Sequence, residues 1–205
     1  MKSFSTLMGK QTLLPIIHAN SVSEGLAIAK AMLAAGIYLV EVVLRTPASL
    51  DVIKALKAKF PELKVGAGTV IDADILKQAL DAGSDFIITP TISKSLLTHL
   101  SDCTVPVLPG VSTASDILLA REFGYSELKL FPASLSGGAP FLKAMAAVFQ
   151  DIAFCPTGGI NNHNQQEYLA LKNVFAVGGT WIATPEWVAN QQWSQITQAC
   201  KAAQV

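Results

Sequence analysis

Short apolar runs recur along this chain at roughly 20-residue intervals, and an amphipathic stretch separates each from the next. The runs that read as strands are 14–19, 38–44, 63–67, 85–89, 105–108, 127–131, 152–155 and 174–177. Polar caps mark helix starts between them: Ser21 with Glu24 three residues on, Asp72 before Ala73-Asp74-Ile75-Leu76, and Ser112 before the segment 113–120. Strands that alternate with helices pair in parallel through crossovers. Eight such units, without the change of pattern that marks an open sheet, predict an α/β chain closed into a (β/α)8 TIM barrel. No linker, low-complexity tract or charge run breaks the series, so residues 1–205 are expected to form a single domain.

One stretch, 27–44, has the hydropathy and length of a membrane span. Lys30 and Glu41 lie within it, however, and Ala34-Ala35-Gly36 divides an alanine-rich half from a β-branched half. It therefore reads as a helix followed by a buried strand.

Composition supports a large interior: 51% of the 205 residues are hydrophobic and only 15% are charged. Fifteen Lys+Arg balance fifteen Asp+Glu, which leaves no overall field to gather nucleic acid or an anionic membrane, so a small ligand is the expected partner. Cys103, Cys155 and Cys200 are too few and dispersed for a disulfide framework, and are expected as reduced, buried thiols. The segment 1–11 lacks an apolar signal core, which leaves the cytoplasm as the expected location.

In a barrel of this kind the reactive groups belong at the C-terminal ends of strands. Period-two alternation along Val40-Glu41-Val42-Val43-Leu44-Arg45 puts Glu41, Val43 and Arg45 on one face, and the apolar Val42 and Leu44 must face the helices. Glu41 and Arg45 then point inward, either as structural ion-pair partners or as a proton-transfer group and a carboxylate-binding guanidinium. The same alternation in Glu127-Leu128-Lys129-Leu130-Phe131 turns Lys129 and Phe131 inward. Burial and the nearby Arg45 cation would both favour a neutral Lys129 amine, a nucleophile toward a ketone. Glycine pairs follow the last two strands, Gly158-Gly159 and Gly178-Gly179, where barrels bind phosphate with backbone N–H groups and a helix N-terminus.

Six stretches now align in order: Glu41-Val42-Val43-Leu44-Arg45-Thr46, Val65-Gly66-Ala67-Gly68-Thr69-Val70, Pro109-Gly110-Val111-Ser112-Thr113, Leu128-Lys129-Leu130-Phe131-Pro132-Ala133, Cys155-Pro156-Thr157-Gly158-Gly159-Ile160 and Val177-Gly178-Gly179-Thr180-Trp181. In these the chain resembles the bacterial 2-keto-3-deoxy-6-phosphogluconate (KDPG) aldolase family, including its members that also cleave 2-keto-4-hydroxyglutarate (KHG). The resemblance implies a Schiff-base lysine at Lys129, an acid/base at Glu41 and carboxylate contacts from Arg45 and Thr69. It further implies a substrate site completed by Pro90, Phe131 and Thr157, with phosphate contacts around Gly158, Gly159, Gly179 and Thr180. No cofactor and no metal are expected, and the resemblance implies a homotrimer.

Two places depart from the gluconate-type pattern. After Thr89-Pro90 the chain continues Thr91-Ile92-Ser93, closer to the 6-phosphogalactonate relatives, and His18 stands at the mouth of the first strand. A 2-keto-3-deoxy-6-phosphogalactonate aldolase is thus the alternative substrate reading. A phosphosugar epimerase or isomerase, or a non-catalytic sugar-phosphate sensor, would keep the glycine loops without needing an inward lysine. With His18, His99 and His163 as the only histidines and no ligand cluster beside them, a metal-dependent aldolase is disfavoured.

Overall fold

The computed structural model describes residues 3–204. Its strands are β1 (Leu13–Ile17), β2 (Leu39–Val43), β3 (Lys64–Gly68), β4 (Phe86–Ile88), β5 (Val107–Leu108), β6 (Gly110–Val111), β7 (Glu127–Leu130), β8 (Ala153–Pro156) and β9 (Val177–Gly179). The helices are α1 (Phe4–Met8), α2 (Val22–Leu33), α3 (Ser49–Lys59), α4 (Ala73–Asp81), α5 (Lys94–Ser101), α6 (Ala114–Glu122), α7 (Gly138–Val148), α8 (Gln165–Leu169), α9 (Pro185–Ala189) and α10 (Trp193–Ala203).

All strand pairs are parallel. They form a six-stranded sheet in the order β5-β4-β3-β2-β1-β9 and a three-stranded sheet, β6-β7-β8. Instead of eight uninterrupted strands in one sheet, the fifth expected strand, 105–108, is shortened to β5, and past Pro109, which has no N–H to donate to a ladder, the chain adds a further short strand, β6. The eighth is shorter and later than 174–177, with Val174 reduced to an isolated bridge to Phe154. A second isolated bridge joins Thr157, just past β8, to Gly178 on β9.

Side chains separate by strand parity, as the alternation requires. Val40, Val42, Leu128 and Leu130 join the large apolar cluster shared with the helices. Leu14, Leu39, Phe86, Ile88, Leu108 and Cys155 form a smaller inner cluster, closed from below by Phe4 and Met8 of α1. Phe4 meets Phe86 edge to face, with ring centroids 5.1 Å apart. This N-terminal helix carries too short a pattern to be read from sequence. It is fastened by Glu127, whose carboxylate accepts hydrogen bonds from the Phe4 and Ser5 N–H groups and from the Ser3 and Ser5 hydroxyls.

The caps hold with two corrections. Ser21 and Asp72 accept from the N–H groups of Glu24 and Ile75. The cap of α6, by contrast, is Thr113 rather than Ser112, because Thr113 and Asp116 form a reciprocal capping box. Glu24 does not complete a box with Ser21; its carboxylate accepts instead from the Asn20 N–H at 2.6 Å. The hydrophobic stretch 27–44 is divided as expected, α2 ending at Leu33 and β2 starting at Leu39. Among the described residues no helix is long and apolar enough to cross a membrane.

Candidate active site

Period-two alternation carries Glu41 of β2 and Lys129 of β7 to the same interior point from opposite sides of the fold. Lys129 Nζ donates to Glu41 Oε1 at 3.1 Å and to Oε2 at 3.3 Å, and both side chains are almost fully buried. Nζ also lies 5.3 Å from the centre of the Phe131 ring, on the same inward face of the chain. The Glu41–Arg45 ion pair left open by the spacing is not formed; Glu41 pairs with Lys129, and Arg45 Nε donates to Thr69 Oγ1 at 3.0 Å. Thr69 has φ +65°, a backbone region that β-branched residues rarely occupy, and that conformation places its hydroxyl under Arg45.

Lys129 opens onto a cavity of about 550 Å³, within the range of small-molecule sites. Arg45, Phe131, Thr157, Gly158, Gly159, Gly179 and Thr180 line it as well. Glu41 lies behind Lys129, Thr69 behind Arg45, and Pro90 at the end of β4; none of these three is a lining residue. The Thr157 side chain is buried and its hydroxyl has no hydrogen-bond partner among the described residues, a cost that a ligand could relieve.

Four glycines leave room for this arrangement. A Cβ on Gly68 would lie 1.9 Å from Glu41 Oε1, and one on Gly178 would lie 2.7 Å from Thr157 Oγ1. Gly158 and Gly159 have φ +96° and +78°, so the turn itself requires glycine at both positions. Neither glycine loop runs straight into a helix: α8 begins only at Gln165 and α9 at Pro185, so any anion there meets loop N–H groups instead of the expected helix N-terminus.

Neighbouring groups sort into site and scaffold. Cys155 is buried in the inner cluster, and burial pushes its thiol up to about 12. Ile92 packs against the outer core and Ser93 caps α5, so the departure at 91–93 lies outside the cavity lining. His18 is among the lining residues. The cavity also takes Ile16, Asn20, Glu24, Val43, Ile160 and a wall around α9, residues the sequence reading assigned no site role. For Ile16 and Val43 the signal was available, since both share the inward parity of His18 and Glu41; the α9 wall depends on how the chain returns after β9.

A buried amine held against a carboxylate at the floor of a ligand-sized cavity, in an α/β fold of parallel strands, is the arrangement an amine-dependent carbon–carbon lyase requires. The chain belongs to the KDPG and KHG aldolase family, whose profile it matches over residues 5–199. It is 41% identical to a 2-dehydro-3-deoxy-phosphogluconate aldolase of Pseudomonas aeruginosa over 97% of this chain and 90% of that protein. It is 36% identical to the KHG/KDPG aldolase of Escherichia coli K12, over 98% of this chain and 94% of that one. The KDPG aldolase of Legionella pneumophila, solved with pyruvate captured at low pH as a covalent carbinolamine intermediate, superposes with a TM-score of 0.96. That match has 38% identity and covers 100% of this chain and 99% of the other.

Proposed function

We propose that the chain cleaves 2-keto-3-deoxy-6-phosphogluconate to pyruvate and glyceraldehyde 3-phosphate, and 2-keto-4-hydroxyglutarate to pyruvate and glyoxylate, through a Schiff base on Lys129. The observation that carries this reading is the Lys129–Glu41 pair at the cavity floor. A purely structural ion pair buried at that place would be a poor stabiliser, whereas an amine beside a proton acceptor is what imine chemistry needs.

In the proposed cycle Glu41 takes a proton from the Lys129 ammonium, and Nζ attacks the C2 ketone to give a carbinolamine. Loss of water leaves a protonated imine. Deprotonation of the C4 hydroxyl then breaks the C3–C4 bond, whose electrons pass to the imine nitrogen as the aldehyde departs. Protonation of the enamine at C3 and addition of water release pyruvate and restore the amine. Arg45, steadied by Thr69, fits the C1 carboxylate; Thr157 has a free buried hydroxyl for a substrate oxygen; Phe131 bounds the reacting carbons. The Gly158-Gly159 and Gly179-Thr180 loops hold the phosphate with backbone donors.

The same reading takes the two sheets as one (β/α)8 barrel. The Thr157–Gly178 and Phe154–Val174 bridges support closure on one side, and the single residue between β5 and β6 supports it on the other. A homotrimer and a cytoplasmic location rest on the resemblance, and sedimentation velocity tests the first.

Borohydride added with pyruvate tests the chemistry. It should inactivate the enzyme and leave a reduced pyruvyl group on Lys129, found by peptide mass, and chelators should have no effect. A label on another lysine, or activity that falls with EDTA and returns with a divalent metal, would overturn the assignment.

A further inference from the structure

His18 lines the cavity, yet the reaction above gives it no task. Its position follows from the sheet. β1 lies between β2, which leads to Arg45, and β9, which ends in Gly179. Ile16 is level with Glu41 on one side, and Pro15 is level with Gly179 on the other. Leu14 belongs to the inner cluster, Ile17 to the outer one, and Ile16 and His18 line the cavity, so His18 has inward parity one step beyond Ile16. The imidazole therefore stands between the carboxylate end of the site and the phosphate loops, on the phosphate side of Arg45.

The other charged groups around the cavity are already engaged. Lys129 pairs with Glu41, Arg45 Nε with Thr69, and the Glu24 carboxylate with the Asn20 N–H. The described residues provide His18 with no side-chain hydrogen bond or ion pair, and its side chain is solvent-accessible. The cavity-lining residues of the loops after β8 and β9 supply backbone donors and the Thr180 hydroxyl, without a basic side chain. A phosphate bound there would meet no basic side chain from these loops, and His18, on the phosphate side of Arg45, is the lining residue placed to donate a hydrogen bond to it.

We propose that His18 is a specificity-determining residue of the aldehyde half of the site: its imidazole donates a hydrogen bond to the substrate phosphate, and it favours phosphorylated over neutral-tailed 2-keto acids. This rests on the aldolase reading above and adds a phosphate contact from β1 to those of β8 and β9.

The test compares wild type, His18→Ala and His18→Lys on 2-keto-3-deoxy-6-phosphogluconate and on the unphosphorylated 2-keto-3-deoxygluconate. Losing one charge-assisted hydrogen bond to an anion should raise KM for the phosphorylated substrate about 5- to 20-fold in His18→Ala, with kcat changed less than about twofold. KM for the neutral-tailed substrate should stay within about twofold, because the phosphate contact is absent in both enzymes. Inorganic phosphate should compete more weakly against His18→Ala, and His18→Lys should recover most of the loss. Equal KM changes on the two substrates, or none on either, overturn the proposal. Pyruvate trapping on Lys129 separates the two readings: it should persist in His18→Ala, and its failure in wild type would remove the aldolase assignment itself.

Discussion

The Glu41 carboxylate fills the space that a side chain at Gly68 would need, with Oε1 only 1.9 Å from where a Cβ would stand. β2 and β3 are paired so that Val43 faces Gly68 and Glu41 faces Gly66, which lets the carboxylate lean across the bare end of β3 toward Lys129. Gly68→Ala should therefore displace Glu41 rather than simply overpack the core. We expect a loss of about 1–3 kcal/mol in stability, typical of an inserted methyl, together with at least about a tenfold fall in kcat. Thermal melts and steady-state kinetics measure both, and an unchanged kcat would mean that Glu41 placement does not depend on Gly68.

Replacing the carboxylate itself separates chemistry from architecture. Glu41→Gln keeps an oxygen that can accept from Lys129 and removes the group that titrates, so the fold should survive while turnover slows by about 10² to 10⁴. Retention of the wild-type rate together with a large fall in Tm would make Glu41 a structural partner of Lys129 and no more.

The parity of β2 and β7 made the central pair legible in the sequence: Glu41 and Lys129 were placed inward because Val42, Leu128 and Leu130 had to face the helices. What parity could not supply was the partner. Arg45, four residues from Glu41 along the same run, looked like the nearer charge, and only the folding of β7 against its neighbours brought Lys129 to Glu41 from 88 residues away. The strand pattern departed from expectation where Pro109 is followed by a further short strand, β6, and where Val174 is reduced to an isolated bridge ahead of β9. Helix α1 was missed because its burial depends on a carboxylate at Glu127, more than a hundred residues downstream.

That carboxylate gives a structural prediction with no catalytic component. Glu127 begins β7, at the opposite end of the strand from Phe131, and holds the first residues of α1 through several hydrogen bonds. Glu127→Gln loses the charge-assisted part of these, about 1–3 kcal/mol, and should lower Tm by about 2–4 °C for each kcal/mol while leaving kcat and KM unchanged. A matching loss of activity would show that α1 communicates with the cavity.

The thiols should divide by burial. Cys155 and Cys200 are both fully buried, and burial pushes each up to about 12, so at pH 8 they are protonated as well as inaccessible. Cys103, half-buried and also shifted upward by burial, is the one that solvent reaches. A thiol reagent at pH 8 should label Cys103 alone in the native protein and all three cysteines in denaturant, as read by peptide mass. Rapid native labelling of Cys155 would mean that the inner cluster opens.

The two ends of the site are built from different materials, and Thr180 tests the difference. Arg45 brings a full charge to the cavity, whereas Gly158, Gly159, Gly179 and Thr180 offer backbone dipoles and one hydroxyl. Thr180 is exposed to the cavity at the turn after β9, where the Ala183 N–H donates to its carbonyl, so its side chain can be changed without disturbing the turn. Thr180→Asp sets a fixed negative charge at the proposed phosphate site, and like charges at close range oppose binding directly. KM for the phosphorylated substrate should rise far more than turnover of small unphosphorylated 2-keto acids falls, and inorganic phosphate should cease to compete. Slower cleavage of 2-keto-4-hydroxyglutarate is expected in wild type, because its far carboxylate can use some of the same N–H donors. Steady-state kinetics of both enzymes on both substrates decide the point. Equal losses on the two would detach Thr180 from the phosphate end, and a wild-type preference for the 6-phosphogalactonate epimer would overturn the gluconate assignment.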